Sequence, residues 1–403
     1  MLKSSTAITY ELDDIQAGIS ELADEILRNM KFGKSGFGLL LCDSDTDHGA
    51  LAAGLHHKLG VPIVGFSTTA MFSGSDGLCE STALLTAVTS DDVNFSIAVS
   101  EPLTVENVGE RIESTYNRAK AALDGEPALI IAFPPYISGV LIDMYPRELD
   151  RVSGGLPVFG GLPSHDEVYG KTAIYCMDTA CGDKMALLLI SGAIKPVMTA
   201  KNCLGFLTNI KRTVTSSKGN EIYKVGDDTF VRFMERFGLD VAKFAVSEEK
   251  LTFFTSYPLL VEHPGSGATD ETPIVRTLHG VNPETGSGTT IGEVPQGSVI
   301  SVGILQKEDI EVSAQNSIED LLGKMKRNED EGYRYSMVFA ISCLARYYIM
   351  TGDSDIEADA LRKRLPREIA LSGFYSFGEI CPTSIQGRVR NAAHNESLVL
   401  LAL

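Results

Sequence analysis

The 403-residue chain is short of positive charge: 35 Lys and Arg stand against 53 Asp and Glu, a formal net charge of −18. That balance argues against a nucleic-acid partner, because phosphate backbones are held by basic faces. It argues equally against docking on an anionic membrane. Long hydrophobic runs are missing too. The apolar stretch around Met185–Ile190 falls far short of the ~20 residues a spanning helix needs, and the N-terminal MLKSSTAITYELDD has no apolar segment of the kind a secretory signal carries. The expectation is a soluble, cytoplasmic protein. Seven cysteines, at 42, 79, 176, 181, 203, 343 and 381, are an odd number at scattered spacings, which suits reduced, mostly buried thiols and not a disulfide framework. Standard catalytic signatures are also absent: no G-x-S-x-G, no Walker A, no H-E-x-x-H, and no G-x-G-x-x-G after a strand. Nothing specific in the sequence argues for an enzyme.

What is present is an alternation of helical and strand patterns. Ile15, Ile19, Leu22, Ile26 and Leu27 recur at helical spacing, with Asp13 or Asp14 to start the helix. Gly36–Cys42 is a short continuous apolar run, the mark of a buried strand. A strand over 61–66, two more over 81–88 and 94–99, and a helix over 106–123 complete one αβ unit. The order then recurs, with a strand over 128–133, a helical stretch over 140–152 and strands over 172–177 and 184–190. GVPIVGFS at 60–67 and GLPVFGGL at 155–162 match in register, Gly65 answering Gly160, and Gly373-Phe374 matches Gly65-Phe66 in the second half. These fragments indicate an internal duplication of an αβ unit. Between the halves, 213–224 reads as a turn inside a strand pair, 226–237 as a helix capped by Asp227 or Asp228, and 262–297 as hairpins and loops. The length suits two domains. The fold class expected is α/β (α+β), in two modules over residues 30–222 and 223–403, with mixed sheets flanked by helices.

Four constellations are candidates for chemistry. Asp43-Ser44-Asp45-Thr46-Asp47 lacks the glycine and distal glutamate of a calcium loop and reads as a strand-to-helix turn. His56 and His57 point about 100° apart on a helix and do not share a metal. Cys176, Cys181 and Cys203 lack zinc spacing. No metal site is assigned. The fourth group is at the C-terminal end: Cys343, Arg346, Tyr375, Glu379, His394 and Asn395. Arg346 follows the strand over 336–343, where an open α/β sheet presents ligands, and its planar fork suits a carboxylate while Glu379 suits an amine. Tyr375 would add apolar contact and a hydroxyl. The same residues are compatible with a plain Arg346–Glu379 salt bridge. The segment 373–403 reads as strand, polar loop, strand.

FAISCLAR at 339–346, GFYSFGEICP at 373–382 and HNESLVLLAL at 394–403 resemble the C-terminal module of FIST proteins, and the 64–68 and 157–161 fragments resemble their N-terminal module. The resemblance implies a small-ligand sensor, an amino acid being the usual suggestion, that signals through a separate protein such as a histidine kinase or another output protein. Carried over to this chain, its ligand-binding positions are Cys343, Arg346, Gly373, Tyr375, Gly378, Glu379, His394 and Asn395. Some family members bind haem, for which His165, His394 or Cys343 would be the axial ligand here. A scaffold without ligand and a hydrolase with Cys343 as nucleophile are the remaining alternatives. If the ligand reading holds, Arg346→Ala loses binding and keeps the fold.

Overall fold

The structure is a computed structural model that describes residues 2–165, 172–202, 204–206, 209–247, 249–264, 274–350, 355–385 and 387–403. Among these, the same element order occurs three times. The first unit runs β1 (Lys3–Thr9), α1 (Ile15–Asn29), β2 (Ser35–Asp43), α2 (His48–Leu59), β3 (Ile63–Thr68), a hairpin β4 (Met71–Ser73) and β5 (Gly77–Cys79), and β6 (Ala83–Ser90). The second runs β7 (Val93–Val99), α3 (Val108–Ala122), β8 (Pro127–Phe133), α4 (Met144–Ser153), β9 (Val158–Gly161), a hairpin β10 (Ile174–Cys176) and β11 (Thr179–Cys181), and β12 (Ala186–Gly192).

The third unit opens with β13 (Val197–Asn202) and is interrupted by an insertion. The insertion carries β14 (Gly205–Phe206), β15 (Arg212–Lys218), β16 (Glu221–Val225), β17 (Asp228–Thr229), α5 (Phe230–Glu235), α6 (Val241–Phe244) and α7 (Lys250–Ser256). It ends with β18 (Leu259–Glu262), β19 (Ile274–Arg276), β20 (Leu278–Asn282), β21 (Ser287–Thr290) and β22 (Val299–Ile304). The unit then resumes with α8 (Lys307–Asp330), β23 (Met337–Cys343), α9 (Leu344–Ile349), α10 (Asp355–Arg362), β24 (Ala370–Ser376), a hairpin β25 (Glu379–Ile385) and β26 (Arg388–His394), and β27 (Ser397–Ala402). Residue 222 falls inside β16, and the inserted strands form their own sheet.

The three units are interlocked by exchange of hairpins. The sheets run β1-β6-β2-β3-β10-β11, β7-β12-β8-β9-β25-β26 and β13-β27-β23-β24-β4-β5. Each sheet thus takes its four long strands from one unit and its last hairpin from another. Within each, the middle pair is parallel and the rest antiparallel. The recurrent glycine explains why this pairing tolerates so little variation. Gly65, Gly160 and Gly373 sit opposite Leu40, Ala132 and Ala340 on the parallel neighbour. A Cβ on Gly65 would lie 1.7 Å from the Leu40 carbonyl oxygen, and one on Gly160 2.1 Å from that of Ala132. Only glycine permits that approach. The inward faces of the three sheets meet in one core, where Phe66 packs against Phe374 (4.2 Å between ring centres) and Phe133 (5.2 Å). Helices cover the outward faces, α1 and α2 on the first sheet, α3 and α4 on the second, α8 to α10 on the third.

Local signals explain the helix starts. Asp14 caps α1 by accepting from the Gln16 and Ala17 amides, and Asp47 caps α2 through Ala50. The inserted helix starts at Phe230 under Thr229, not under Asp227 or Asp228, because Thr229 reaches the Arg232 amide. The segment expected as a polar loop after β24 is the hairpin β25–β26. Pro382 is tolerated there because β9 pairs only with Glu379 and Ile380, so the missing N–H costs no bond on that side. Gly387, at φ +70°, makes the turn. No helix among the described residues is long and apolar enough to cross a membrane.

Candidate functional site

The inserted sheet rests on the core through a few polar contacts at the β26–β27 turn. Arg276 is buried, donating to Asp143 Oδ1 (2.6 Å) and to the Glu293, Val275 and Ala393 carbonyls (3.1 Å each). Beside it, Thr277 donates its amide to Asn395 Oδ1 (3.4 Å) and its hydroxyl to Glu396 Oε1 (2.8 Å). Between these contacts and α9 is a cavity of about 240 Å³. Cys343, Leu344, Ala345, Ser376, Phe377 and Asn395 line it from the core; Lys250, Phe254, Leu278, His279 and Ile291 are among those that line it from the insertion.

Beneath Cys343 lie two carboxyl groups, Glu379 and Glu396, both fully buried. Burial pushes both well above the usual carboxylate range, because it penalises the charged form. Neither oxygen of Glu379 makes a hydrogen bond of good geometry; the Ser397 amide and the Cys343 thiol are donors beside it. Burial, reinforced by these two carboxyls, also raises the Cys343 thiol. A thiol held protonated is the reverse of an activated nucleophile.

The pseudo-symmetry shows how unusual this cluster is. Ile380, Tyr175 and Phe72 face the three equivalent glycines, so Glu379 stands where the other units place Ile174 and Met71, both core residues. By the register of β27, β6 and β12 on their neighbours, Glu396 stands where they place Ser81 and Asp183. Glu396 has φ +54° and Ser81 φ +51°, so the first and third units share the left-handed turn. The buried acids belong to the third unit. A buried acid in place of an apolar residue costs stability unless it is used.

The eight residues expected to form one site are divided by the third sheet. Cys343 and Asn395 line the cavity, and Glu379 lies directly behind them. Gly378 borders it, its amide donating to Ser376 Oγ at 3.0 Å. Arg346 and Tyr375 are on the helix-covered face. Arg346 is fully buried and donates to Glu357 Oε1 through Nε (2.9 Å) and Nη2 (2.5 Å) and to Ser313 Oγ (2.9 Å). Its carboxylate partner is therefore Glu357, and Glu379 is not the other half of the pair. The Tyr375 ring packs on Phe72 and Tyr347 (5.7 and 5.1 Å), its hydroxyl beside Glu357. Gly373 is the close-approach glycine of β24. His394 bonds the Cys381 carbonyl through Nε2 (3.0 Å), and burial lowers its pKa to about 4.

Haem does not fit this cavity. Pockets for drug-sized ligands are commonly about 300–1,000 Å³, above the 240 Å³ here; neither His394 nor His165, which is 3.9 Å from Asp45, lines it, and Cys343, which does, has its thiol pKa raised by burial, against the thiolate an axial ligand needs. No group of His, Cys, Asp and Glu among the described residues is arranged to hold a metal ion. Cys203 lies outside the described residues. Lys250, Thr277, His279, Ser376 and Phe377 were not visible from sequence because most come from the insertion, far away in the chain.

Comparison with known proteins places the chain in a family. The FIST N domain matches residues 36–228 and the FIST C domain residues 239–382. The chain belongs to the FIST family. No curated protein matches it. Among solved structures it is similar to the cyanuric acid hydrolase from A. caulinodans, at 10% identity and a TM-score of 0.35, over 100% of this chain and 99% of that one. A likeness that distant carries no argument about activity.

Proposed function

We propose that this protein is a small-ligand sensor whose site is the cavity above Cys343. FIST domains are generally taken as small-ligand sensors in signalling, and the observation that carries the reading is the placement of buried Glu379 and Glu396 behind that cavity, at positions the other two units fill with Ile174 and Met71, and with Ser81 and Asp183. The cavity is bounded by the core on one side and the inserted sheet on the other, so an occupant adds a bridge to those made by Arg276, Thr277 and Glu293. Occupancy would then set how firmly the insertion is held, since a ligand stabilises the state that binds it. A separate signalling protein, a histidine kinase or other output protein, would read that change. An amino acid is one occupant of suitable size.

A thermal-shift screen with small metabolites tests this. A ligand at 100 times its Kd adds about 2.7 kcal/mol of stability, which raises the melting temperature. Ala345→Trp, which fills the cavity from α9, should abolish the shift. A screen without hits, or shifts equal in the filled variant, would count against the reading.

A further inference from the structure

The charges around the cavity narrow the ligand. Among the described residues that line it, the charged side chain is Lys250, and no Asp or Glu is present. His279 stands beside Lys250, and the remaining polar side chains, Thr255, Thr277, Tyr348, Ser376, Asn395 and Cys343, include no carboxylate. The rest of the wall is apolar, with Leu251, Phe254, Leu278, Leu344 and Phe377 the main contributors. Lys250 is partly exposed, and its Nζ lies 5.9 Å from the Phe254 ring centre, over an apolar part of the lining.

Resting on the small-ligand reading of this site, we propose that the cavity takes a small organic acid with an apolar body and no amine, its carboxylate held by Lys250 and His279 and its body against Phe254, Leu278 and Phe377. An ammonium would enter beside Lys250 with no lining anion to meet it, and a buried charge without a partner is strongly disfavoured. The two acids that might serve, Glu379 and Glu396, lie behind Cys343 and Asn395 and do not line the cavity, and burial disfavours their charged form. Burial and the neighbouring Lys250 charge likewise keep His279 neutral, so it offers one N–H to a carboxylate without adding charge.

Calorimetric titration of the full chain with 3-phenylpropionate, 2-phenylethylamine and L-phenylalanine separates the head groups at constant body. The acid should bind at least about tenfold tighter than either of the others. Lys250→Met, a partly exposed position, should weaken the acid about tenfold while leaving the melting temperature of the unliganded protein unchanged. Equal or tighter binding of the amine or the amino acid, or an affinity for the acid untouched by Lys250→Met, overturns the proposal and leaves the sensor reading standing. Silence from all three probes also overturns it; the sensor reading falls only if the metabolite screen is silent as well.

Discussion

Replacing Glu357 by Ala tests what Arg346 is for. The carboxylate receives two guanidinium hydrogen bonds and one from Ser342 Oγ (2.6 Å), and both charged side chains are 0% exposed. Removing the acid strands a guanidinium among α8, α9 and α10. Breaking such a pair on one side costs about 3–5 kcal/mol, because the surviving charge stays buried without its partner. Replacing both residues with apolar ones of similar volume, as in Arg346→Met with Glu357→Leu, should be close to neutral or stabilising by about 1–4 kcal/mol. Urea unfolding followed by circular dichroism would read both changes, and ligand titration of the double variant would read function. The account predicts a large loss for the single variant, recovery in the double, and ligand binding retained in the double. A Glu357→Ala cost below about 1 kcal/mol would refute the claim that this pair is dry and structural. Loss of ligand binding in a well-folded double variant would return Arg346 to the site.

Other perturbations follow from the same contacts. Glu379 and Glu396 have folded-state pKa values raised above their unfolded value of about 4.3. Their contribution to stability is full below that pH and is lost as pH rises through the folded values. Glu379→Gln with Glu396→Gln should therefore flatten the decline of stability above about pH 4.3, measured by urea midpoints across pH; an unchanged slope would show that the acids are not buried as described. Gly65→Ala should abolish soluble expression, since its Cβ would meet the Leu40 carbonyl oxygen at 1.7 Å, whereas Gly323→Ala on α8, with nothing within 4 Å, should be stabilising by about 0.4–1 kcal/mol. Arg276→Met should speed hydrogen exchange across β19 to β21 while leaving β23 and β27 protected. Phe377→Ala should admit longer acids, because Phe377 also lines an adjoining cavity of about 410 Å³.

Much of the fold could be read from the chain because the repeat is written in it. Gly65, Gly160 and Gly373 stand out in sequence since each must lie against a neighbouring carbonyl, and the apolar runs around them are buried on both faces. The third unit was harder to see: residues 205–304 separate β13 from β23, so its first strand lies far from the others. The strand expected over 172–177 is β10, but the hairpin β4–β5 and the return strand β11 were missed, because three-residue strands carry little periodicity and these hairpins are formed by pairing with another unit's sheet. Arg346 was recognised as important, but its partner was not. The signal was Glu357, an acid sharing the buried face of α10 with Ala358, Ala360 and Leu361. Tyr375, expected in the site, and Ser376 face opposite ways on β24, so that only Ser376 reaches the cavity. The site itself draws on both the insertion and the C-terminal unit, and no local pattern joins Lys250 and His279 to Cys343.

Native mass spectrometry of gently purified wild-type protein beside Ala345→Trp tests the central claim most directly. The account predicts a small adduct, lost on denaturation, in the wild type and its absence in the filled variant. The same adduct on both proteins would contradict the assignment of the cavity above Cys343 as the ligand site.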